Sequence, residues 1–186
     1  FNSLSSENAE NIVQEAGISG QTDCSSIWLV IWGNNTCHGI YPRGTTGGLQ
    51  VEDKGQVTIE NVDGSGGRME AYRTHYCWKV GLTVRDWRYV VRVQFDSSTL
   101  KGDTSSGADL IDLMTQAVEI PPQLSAGRAA FYCNRRTKSF LRRQIVEKVS
   151  ASTLSMDQIA GKHVMTFDGI PVRRVDSILN TETAVS

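Results

Sequence analysis

The sequence predicts an α+β protein, in which a mixed, mostly antiparallel sheet with long strands is combined with a few helices. Two runs, at residues 25–32 and 70–96, are continuously apolar or alternate in the way that strands do. Two further segments, 106–118 and 136–149, repeat apolar residues at helical spacing. Strands and helices do not follow one another in regular strand-helix-strand order, which favours α+β over a doubly wound parallel sheet.

Composition and charge are those of an ordinary globular protein. The chain has 186 residues, of which 39% are apolar and 21% charged, and its formal net charge is -1. This near-neutral charge gives no general attraction to nucleic acid or to an anionic membrane. The longest apolar run, residues 27–32, is much shorter than the roughly 20 residues of a membrane span. The chain begins at Phe1 without a signal-peptide pattern, and we expect it to be an internal fragment of a longer protein.

The first part of the chain is predicted to consist mainly of strands. Residues 5–16 are the exception, a short helix expected to end at Gly17. The run SSIWLVIW, residues 25–32, is apolar on both faces, which is typical of a central strand. A GNNT turn, a strand at 37–41 and an alternating strand at 55–62 follow, and a DGSGG turn leads into the next strand.

The run EAYRTHYCWKVGLTVRDWRYVVRVQFD, residues 70–96, interleaves aromatic and basic residues. Even positions are mostly apolar from 72 to 84, whereas odd positions are apolar after 86. This period of two indicates a half-buried strand, and the change of phase predicts a bend or bulge near residues 85–86. The aromatic side chains are therefore predicted to point inward, which favours a sheet over a nucleic-acid surface. The opposite, exposed sheet face would carry Arg73, Arg88 and Arg92.

The second part of the chain combines helices with short strands. The helix at 106–118 is expected to be capped by Ser105 or Ser106 and to end before Pro121. A short strand at 129–133 and a second helix at 136–149 follow. Asp168 and Gly169 form the two-residue connection of a final hairpin, a turn whose twist suits paired strands.

The residue types that carry chemistry form no catalytic, metal-binding or cofactor-binding pattern. The four cysteines have no CxxC pair and no zinc spacing, so structural thiols are favoured, with a disulfide or a metal ligand as the alternative. The three histidines are scattered through strand-like segments, and neither GxSxG nor HExxH occurs. The acids between residues 109 and 119 suit the solvated face of a helix. We therefore expect neither enzyme activity nor a cofactor.

Positive charge is concentrated in residues 128–148, which contain seven basic residues and one acid. The simplest interpretation is the polar face of a helix, paired with acids such as Glu52, Asp53 and Glu60. The functional alternatives are a contact between subunits and a patch that faces nucleic acid. The subunit contact is favoured because arginine suits paired charges at interfaces. Its candidate residues are Arg135, Arg136, Arg142 and Arg143.

Four runs of the sequence carry a resemblance to a known family. They are FNSLSSENAENI, SSIWLVIWGNNTCHGIYPRG, YRTHYCWKVGLTVRDWRYVVRV and FDGIPVRRVDSILNTE. Together they resemble the C-terminal half of the major capsid protein of tailed bacteriophages, in particular a podovirus-like group. The resemblance spans nearly the whole chain and implies the Hong Kong 97 type of capsid fold, which is α+β.

The resemblance also implies a division of the chain. Residues 1–96 and 161–186 would form the sheet region of a peripheral domain. Residues 97–160, with their two helices, would form an axial domain near the symmetry axes of a shell. The N-terminal arm and the extended loop with which family members reach neighbouring subunits would lie upstream of Phe1 and be absent from this fragment.

The function that the resemblance implies is structural. The chain would be a major capsid subunit that assembles in the host bacterial cytoplasm into the icosahedral shell of the virion, around the DNA. Its implied partners are other copies of itself and scaffolding, portal or decoration proteins, with at most non-specific contact with packaged DNA and none with a membrane. Two other classes remain open: a nucleic-acid-binding module that uses the basic helix 135–148, and a hydrolase or similar enzyme whose site leaves no motif.

Overall fold

The structure, a computed structural model, describes residues 10–44, 47–100, 108–147, 154–159 and 162–185. The chain divides into two compact units, one formed by residues 1–38 and 84–186 and the other by residues 39–83. The helices are α1 (Leu110–Glu119) and α2 (Arg135–Glu147), and short 3-10 turns lie at Trp87–Tyr89 and Leu124–Ala126. The strands are β1 (Ile12–Gln14), β2 (Cys24–Trp32), β3 (Cys37–Ile40), β4 (Gln50–Glu60), β5 (Arg68–Cys77), β6 (Gly81–Val84), β7 (Val90–Asp96), β8 (Arg128–Cys133), β9 (Leu154–Ile159), β10 (Lys162–Phe167) and β11 (Ile170–Arg174).

The main sheet is mixed and mostly antiparallel. Its strand order is β1-β7-β2-β8-β11-β10-β9. Strand β2 is antiparallel to both of its neighbours, β7 and β8. Strand β1 is parallel to β7 and β11 is parallel to β8, whereas β10 is antiparallel to β11 and β9. A mixed sheet with two helices confirms the predicted α+β fold class.

The unit boundaries differ from the predicted division of the chain. Strand β8, which falls in the predicted axial region, lies between β2 and β11 in the main sheet. Helices α1 and α2 belong to the same compact unit as β2, whereas residues 39–83 form a unit of their own. The assignment of residues 1–96 and 161–186 to a peripheral part and of 97–160 to an axial part stays a prediction.

Strand β2 is central, as its apolar sequence predicts. Eight of its nine residues are buried. Ile27 and Leu29 belong to the larger hydrophobic core, together with side chains of α1 and α2. Trp28 and Val30 alternate with them along the strand and belong to a second cluster, which Tyr132 borders. Because both faces of β2 are covered, its side chains read as a continuous apolar run and not as an alternating one.

Helix α1 begins later than predicted, and its cap is a different residue. The carboxylate of Asp109 accepts hydrogen bonds from the N–H groups of Ile111 and Asp112, each at 3.2 Å. Asp109 is therefore the N-cap, and the helix starts at Leu110. The predicted caps, Ser105 and Ser106, lie outside the described residues.

The final hairpin forms as predicted. Asp168 and Gly169 connect β10 to β11, and both have positive φ angles, 49° and 74°. This pair of left-handed residues gives the turn whose twist matches that of two antiparallel strands. Aspartate and glycine are among the residues that adopt this conformation most readily, which is why two residues of sequence sufficed to predict it.

The predicted N-terminal helix is wrong from residue 12 onward, whereas residues 10 and 11 lie in a 3-10 turn. Residues 12–14 form strand β1, which runs parallel to β7 and pairs Ile12 with Arg92. The side chain of Asn11 anchors the start of this strand by donating to the Trp87 carbonyl at 3.1 Å and to the Val90 carbonyl at 2.9 Å. These partners are far away in sequence, so tertiary pairing overrides a weak local helix preference. Residues 5–9 of the predicted helix lie outside the described part of the chain.

Glu15 lies directly after β1, in a partly buried position beside another acid. Its carboxylate accepts a hydrogen bond from the Asp96 N–H at 3.0 Å. Burial raises the pKa of Glu15 above its ordinary value of 4.5. The hydrogen bond opposes this rise, and the negative charge of the Asp96 side chain adds to it. The folded protein therefore binds the Glu15 proton more tightly than the unfolded chain does.

We expect the substitution Glu15→Gln to stabilise the protein near neutral pH. A raised carboxyl pKa favours folding below its ordinary value, and this contribution is lost as the pH rises through the raised value. Glutamine keeps the acceptor oxygen without the charge. The variant should therefore melt above the wild type at about pH 7 and together with it at about pH 3. Thermal melts test this, with Glu119→Gln on the exposed side of α1 as the control; equal effects of the two substitutions would contradict it.

The cysteines are free thiols, which agrees with the structural interpretation of their spacing. Cys24, Cys37 and Cys133 are buried, and Cys77 is half-buried. Burial raises the pKa of the Cys133 thiol to about 12. A thiol with so high a pKa stays protonated at neutral pH and is a poor nucleophile. Cys133 therefore serves as a small apolar side chain of the core, where it belongs to the larger cluster.

Candidate contact surfaces

Strands β4 and β5 form a long two-stranded hairpin within residues 39–83. Their pairing runs from Gln50 opposite Cys77 to Glu60 opposite Arg68. Most residues of both strands are exposed. Among the described residues, none of the three buried hydrophobic clusters includes a member from 39–83. The hairpin therefore offers two open faces.

The prediction that the aromatic residues of 70–84 point inward is wrong. Tyr72 is 86% exposed, and Tyr76 and Trp78 are each 64% exposed. The bend predicted near residues 85–86 is confirmed, because β6 ends at Val84 and a 3-10 turn precedes β7. Alternation in sequence implies one buried face only when a second layer covers it. A two-stranded ribbon has no such layer of its own.

Large apolar side chains that are exposed are concentrated in the smaller unit. Of the fifteen exposed ones among the described residues, twelve belong to residues 39–83; the others are Val84, Trp87 and Leu179. Isolated exposed apolar side chains are normal, but a concentration of this kind marks an interaction surface. The twelve are Ile40, Tyr41, Leu49, Val51, Ile59, Val62, Met69, Tyr72, Tyr76, Trp78, Val80 and Leu82.

The register places these side chains on opposite faces of the hairpin at its two ends. Directly opposed residues of an antiparallel pair share a face. At the end near residues 50 and 77, the Val51–Tyr76 pair and Tyr72 share one face. At the distal end the Ile59–Met69 pair lies on the other face. One face is thus apolar near residues 50 and 77 and polar at the distal end. The other face is polar near residues 50 and 77 and apolar at the distal end.

A bulge shifts the alternation of β4 by one residue. Asp53 is opposite Thr74 and Gln56 is opposite Tyr72. Two residues of β4 therefore lie opposite a single residue of β5, so that β4 has one extra residue at this point. Gly55 lies within the bulge with a φ of 64°. Its N–H donates to the Asp53 carboxylate at 2.9 Å. Without this insertion, the apolar side chains beyond it would lie on the other face.

Helix α2 carries four exposed arginines on its solvent side, all of them predicted contact residues. The guanidinium carbons of Arg136 and Arg143 lie 5.9 Å and 5.1 Å from the centroid of the Phe140 ring. Arg135 lies 3.7 Å from the Asp176 carboxylate, and Arg142 is exposed. The helix therefore presents positive charge around a half-buried aromatic ring. The sequence predicted this basic face correctly, but not the ring at its centre.

Arg73 and Arg88, two further predicted contact residues, have different surroundings. Arg73 is exposed on β5. Arg88 is exposed but bound within its own turn, since its Nε and Nη2 donate to the Asp86 carboxylate at 3.0 Å and 2.7 Å. This pairing holds the pKa of Asp86 below its ordinary value. Arg88 thus stabilises the turn between β6 and β7 in addition to lying at the surface.

The prediction that Arg92 lies on an exposed sheet face is wrong. Arg92 is 7% exposed and lies beneath the C-terminal segment, residues 175–185. Its Nη2 donates to the Glu182 carboxylate at 2.8 Å, and its Nε donates to Ser26 Oγ at 2.9 Å. The Ser26 hydroxyl also contacts the Glu182 carboxylate. The guanidinium carbon lies 5.3 Å from the centroid of the Trp28 ring.

The C-terminal segment is tied to the strands at several further points. The backbones of Glu182 and Cys24 exchange two hydrogen bonds, both of 2.9 Å. Gln94 Nε2 donates to the Thr183 carbonyl at 3.0 Å. The segment also borders a cavity of about 740 Å³, whose aromatic lining includes Trp32 and Tyr132. No local pattern of the sequence indicates this cover, because the partners of the segment are distant: Gln94 and Thr183 are 89 residues apart, and Ser26 and Glu182 are 156 residues apart.

The described residues do not bring the chemically active side chains together. Nowhere in that part of the chain do three or more histidine, cysteine, aspartate or glutamate residues lie close enough to hold a metal ion. None of the helices that the structure describes is long and apolar enough to cross a membrane. The distinctive features are therefore surfaces: the open hairpin, the basic helix face and the sheet face under the C-terminal segment.

A comparison with solved structures defines the class of protein that has this fold. A chain in the near-atomic-resolution cryo-EM structure of bacteriophage epsilon15 matches 96% of this chain, with a TM-score of 0.59 and 34% sequence identity. This chain spans about half of that chain's length, 54%. The fold is thus that of a structural protein of a phage particle. No curated protein matches the chain.

The family model described as Major capsid protein GP7 matches residues 1–186, the whole length of the chain. The chain belongs to this family of major capsid proteins. The family predicted from the four sequence runs is thereby confirmed, as is the assignment of the chain to the virion of a bacteriophage.

Proposed function

We propose that this chain builds the icosahedral shell of the phage by repeated contacts between copies of itself. The observation that carries this proposal is the concentration of exposed apolar side chains on residues 39–83. A two-stranded hairpin with both faces in water is marginally stable by itself. Covering these faces with neighbouring subunits removes apolar surface from water and orders the hairpin. Assembly would therefore complete the fold of the smaller unit.

The opposite placement of the apolar patches supports contacts with more than one surface. The patch around Tyr72 and Tyr76 and the patch around Ile59 and Met69 lie on different faces. One flat partner surface cannot cover both. We therefore infer that residues 39–83 contact more than one neighbouring subunit, in addition to the extended loop that the resemblance places upstream of Phe1. The hairpin would then be held between neighbouring subunits.

The exposed arginines suit the charged parts of the same contacts. Arg135, Arg136, Arg142 and Arg143 are exposed on α2, and Arg73 is exposed on the hairpin. Arginine at an interface pairs with carboxylates in a defined geometry, which sets the orientation of neighbours. Arg92 is removed from this group because it is buried within its own unit. Arg88 remains a weaker candidate, since Asp86 already binds its guanidinium group.

The remaining partners follow from the role in a shell. Scaffolding, portal and decoration proteins would bind assembled surfaces, and the packaged DNA would meet the inner surface through non-specific charge contacts. The work of the chain is assembly, and we propose that it is not an enzyme and uses no cofactor. A nucleic-acid module built on the basic helix has less support, because the net charge of the chain is -1.

Electron microscopy and light scattering of the full-length protein test the proposal. Closed particles of uniform size are expected. A monodisperse monomer or dimer over a wide range of salt and protein concentrations would contradict the shell function. Filter binding of DNA distinguishes the shell function from the alternative function as a nucleic-acid-binding module. Such a module would bind DNA tightly, with an affinity that falls steeply as the salt concentration rises.

A further inference from the structure

The distal end of the β4–β5 hairpin is acidic. Between residues 57 and 71 the charged side chains are Glu60, Asp63, Glu70 and Arg68, which gives three negative charges against one positive. Arg68 already pairs with Glu60 at 3.1 Å. The net charge of this end is therefore -2.

The carboxylate of Asp63 is held in a defined place at the tip. It accepts hydrogen bonds from the N–H groups of Ser65 and Gly67, each at 3.0 Å. These bonds keep the pKa of Asp63 below its ordinary value. The side chain is therefore negatively charged at neutral pH and is presented by an ordered turn.

The same end of the hairpin is also apolar. Ile59 and Met69 are paired across the strands and are 42% and 47% exposed. Val62, in the connecting turn, is 52% exposed. An end that combines exposed apolar side chains with excess negative charge fits a partner that combines an apolar surface with excess positive charge.

Helix α2 has such a surface. A concavity of about 480 Å³ lies along it, lined by Arg135, Arg136, Phe140 and Arg143 on the helix and by Asp176 and Ile178 beside it. Phe140 is half-buried, so part of its ring faces this concavity. The concavity has room for several apolar side chains.

The positive charge of this surface is largely without ion-pair partners among the residues that the structure describes. Asp176 is shared between Arg135, at 3.7 Å, and Arg174. Among the described residues, no carboxylate lies within ion-pair distance of Arg136 or Arg143, which instead stack on Phe140. Stacking holds the two guanidinium groups in place and leaves their N–H donors available for carboxylates.

We propose that the distal end of the hairpin of one copy docks into the concavity along α2 of a second copy. Ile59 and Met69 would cover the Phe140 ring, and the Asp63 carboxylate at the tip would bind Arg136 and Arg143. Glu60 and Glu70 lie on the opposite face of the hairpin and would contribute only longer-range attraction. The proposal rests on the shell function proposed above and names one of its contacts. Donor and acceptor are different surfaces of the same chain, so each copy can bind one neighbour and be bound by another. Head-to-tail contacts of this kind close into rings where the rotation from one copy to the next divides a full turn.

Charge reversal of each surface tests this contact. One variant of the full-length protein carries Glu60→Lys, Asp63→Lys and Glu70→Lys; a second carries Arg136→Glu and Arg143→Glu. Each variant alone should raise the protein concentration needed for association by about tenfold or more, because the hairpin end and the concavity then carry net charge of the same sign. Sedimentation velocity measures this association whether or not closed shells form. A third variant that combines both sets should associate again.

Mixing the first two variants distinguishes contacts between copies from contacts within one. The mixture should recover association, because the reversed hairpin of one chain meets the reversed helix of the other. The control variant Arg85→Glu with Arg173→Glu also reverses two exposed arginines and should associate normally. Normal association of the two single-surface variants would overturn the proposal, as would a mixture without recovery. If the mixture recovered association but never formed closed shells, the contact would be supported and the shell function refuted. If both charge-reversal variants formed normal shells, the shell function would be supported and the contact refuted.

Discussion

Replacing Glu182 by alanine is expected to lower the free energy of unfolding by about 3 kcal/mol, the size of effect seen when one partner of a buried ion pair is removed. Arg92 is 7% exposed and donates to the Glu182 carboxylate at 2.8 Å. Without that carboxylate, a buried guanidinium group loses a charged partner where water cannot fully replace it. For a chain of this length, the melting temperature should fall by roughly 6 to 12 °C.

The effect can be assigned to the side chain because the backbone of Glu182 is held separately. Its N–H and carbonyl pair with Cys24, at 2.9 Å each, and alanine keeps both bonds. Glu119→Ala removes an exposed carboxylate from α1 and is the matched control. The variant Arg92→Met with Glu182→Leu removes both charges and should be more stable than Glu182→Ala, because the buried guanidinium charge is removed together with the carboxylate. Thermal and urea unfolding of the four proteins measure these differences.

Two results would refute this account of Arg92. If Glu182→Ala lowered stability no more than Glu119→Ala, the ion pair would contribute little. If the double variant were less stable than Glu182→Ala, the guanidinium group would matter for its packing on Trp28, whose ring centroid lies 5.3 Å away, more than for its charge.

The parts of the fold that the sequence predicted depend on short-range patterns. The apolar run of β2 indicated a strand covered on both faces, and Asp168-Gly169 indicated a two-residue turn. The helical spacing in α1 and α2 located both helices to within a few residues. Each pattern reflects interactions of a residue with near neighbours or with any apolar layer. None of them requires knowledge of which distant segment supplies that layer.

Arg88 and Arg92 show where such patterns fail. They occupy equivalent positions in the alternation of residues 87–95, and both were predicted to be exposed. Only Arg92 is buried, because the C-terminal segment lies over it and supplies Glu182, 90 residues later in the chain. Alternation reports two faces of a strand but not what covers each face. The alternation of residues in the sequence therefore does not distinguish a buried charge from an exposed one.

The hairpin shows the converse error. Apolar side chains at alternate positions from Tyr72 to Val84 predicted a buried face, yet the structure gives no covering layer within residues 39–83. If the proposed contacts form, the pattern records burial that exists only between subunits. Sequence periodicity does not distinguish a layer within the chain from a layer on a neighbour, because the physical requirement is the same. The basic face of α2 was predictable from the sequence because its arginines lie close together in one short segment. Recognising them does not require knowledge of a covering layer.

Removing the hairpin should abolish assembly and leave the larger unit folded. Gln50 and Cys77 are directly opposed across β4 and β5. An Asn-Gly turn can therefore join them in place of residues 51–76 without displacing either end. No buried hydrophobic cluster of the described residues includes a member from 39–83, so the core should be unaffected. We expect the melting temperature to change by about 3 °C or less, whereas closed particles should be lost entirely.

A pair of matched variants separates the hairpin's two ends. Ile59→Ser with Met69→Ser removes apolar surface at the distal end, and Tyr72→Ser with Tyr76→Ser removes it near residues 50 and 77. If both patches contact neighbours, each variant should weaken assembly while circular dichroism and melting of the larger unit stay unchanged. Normal particles from the deletion variant would show that the hairpin is dispensable. An unfolded deletion variant would show instead that residues 39–83 contribute to the core of their own subunit, and the exposed aromatic side chains would then need a partner within the chain.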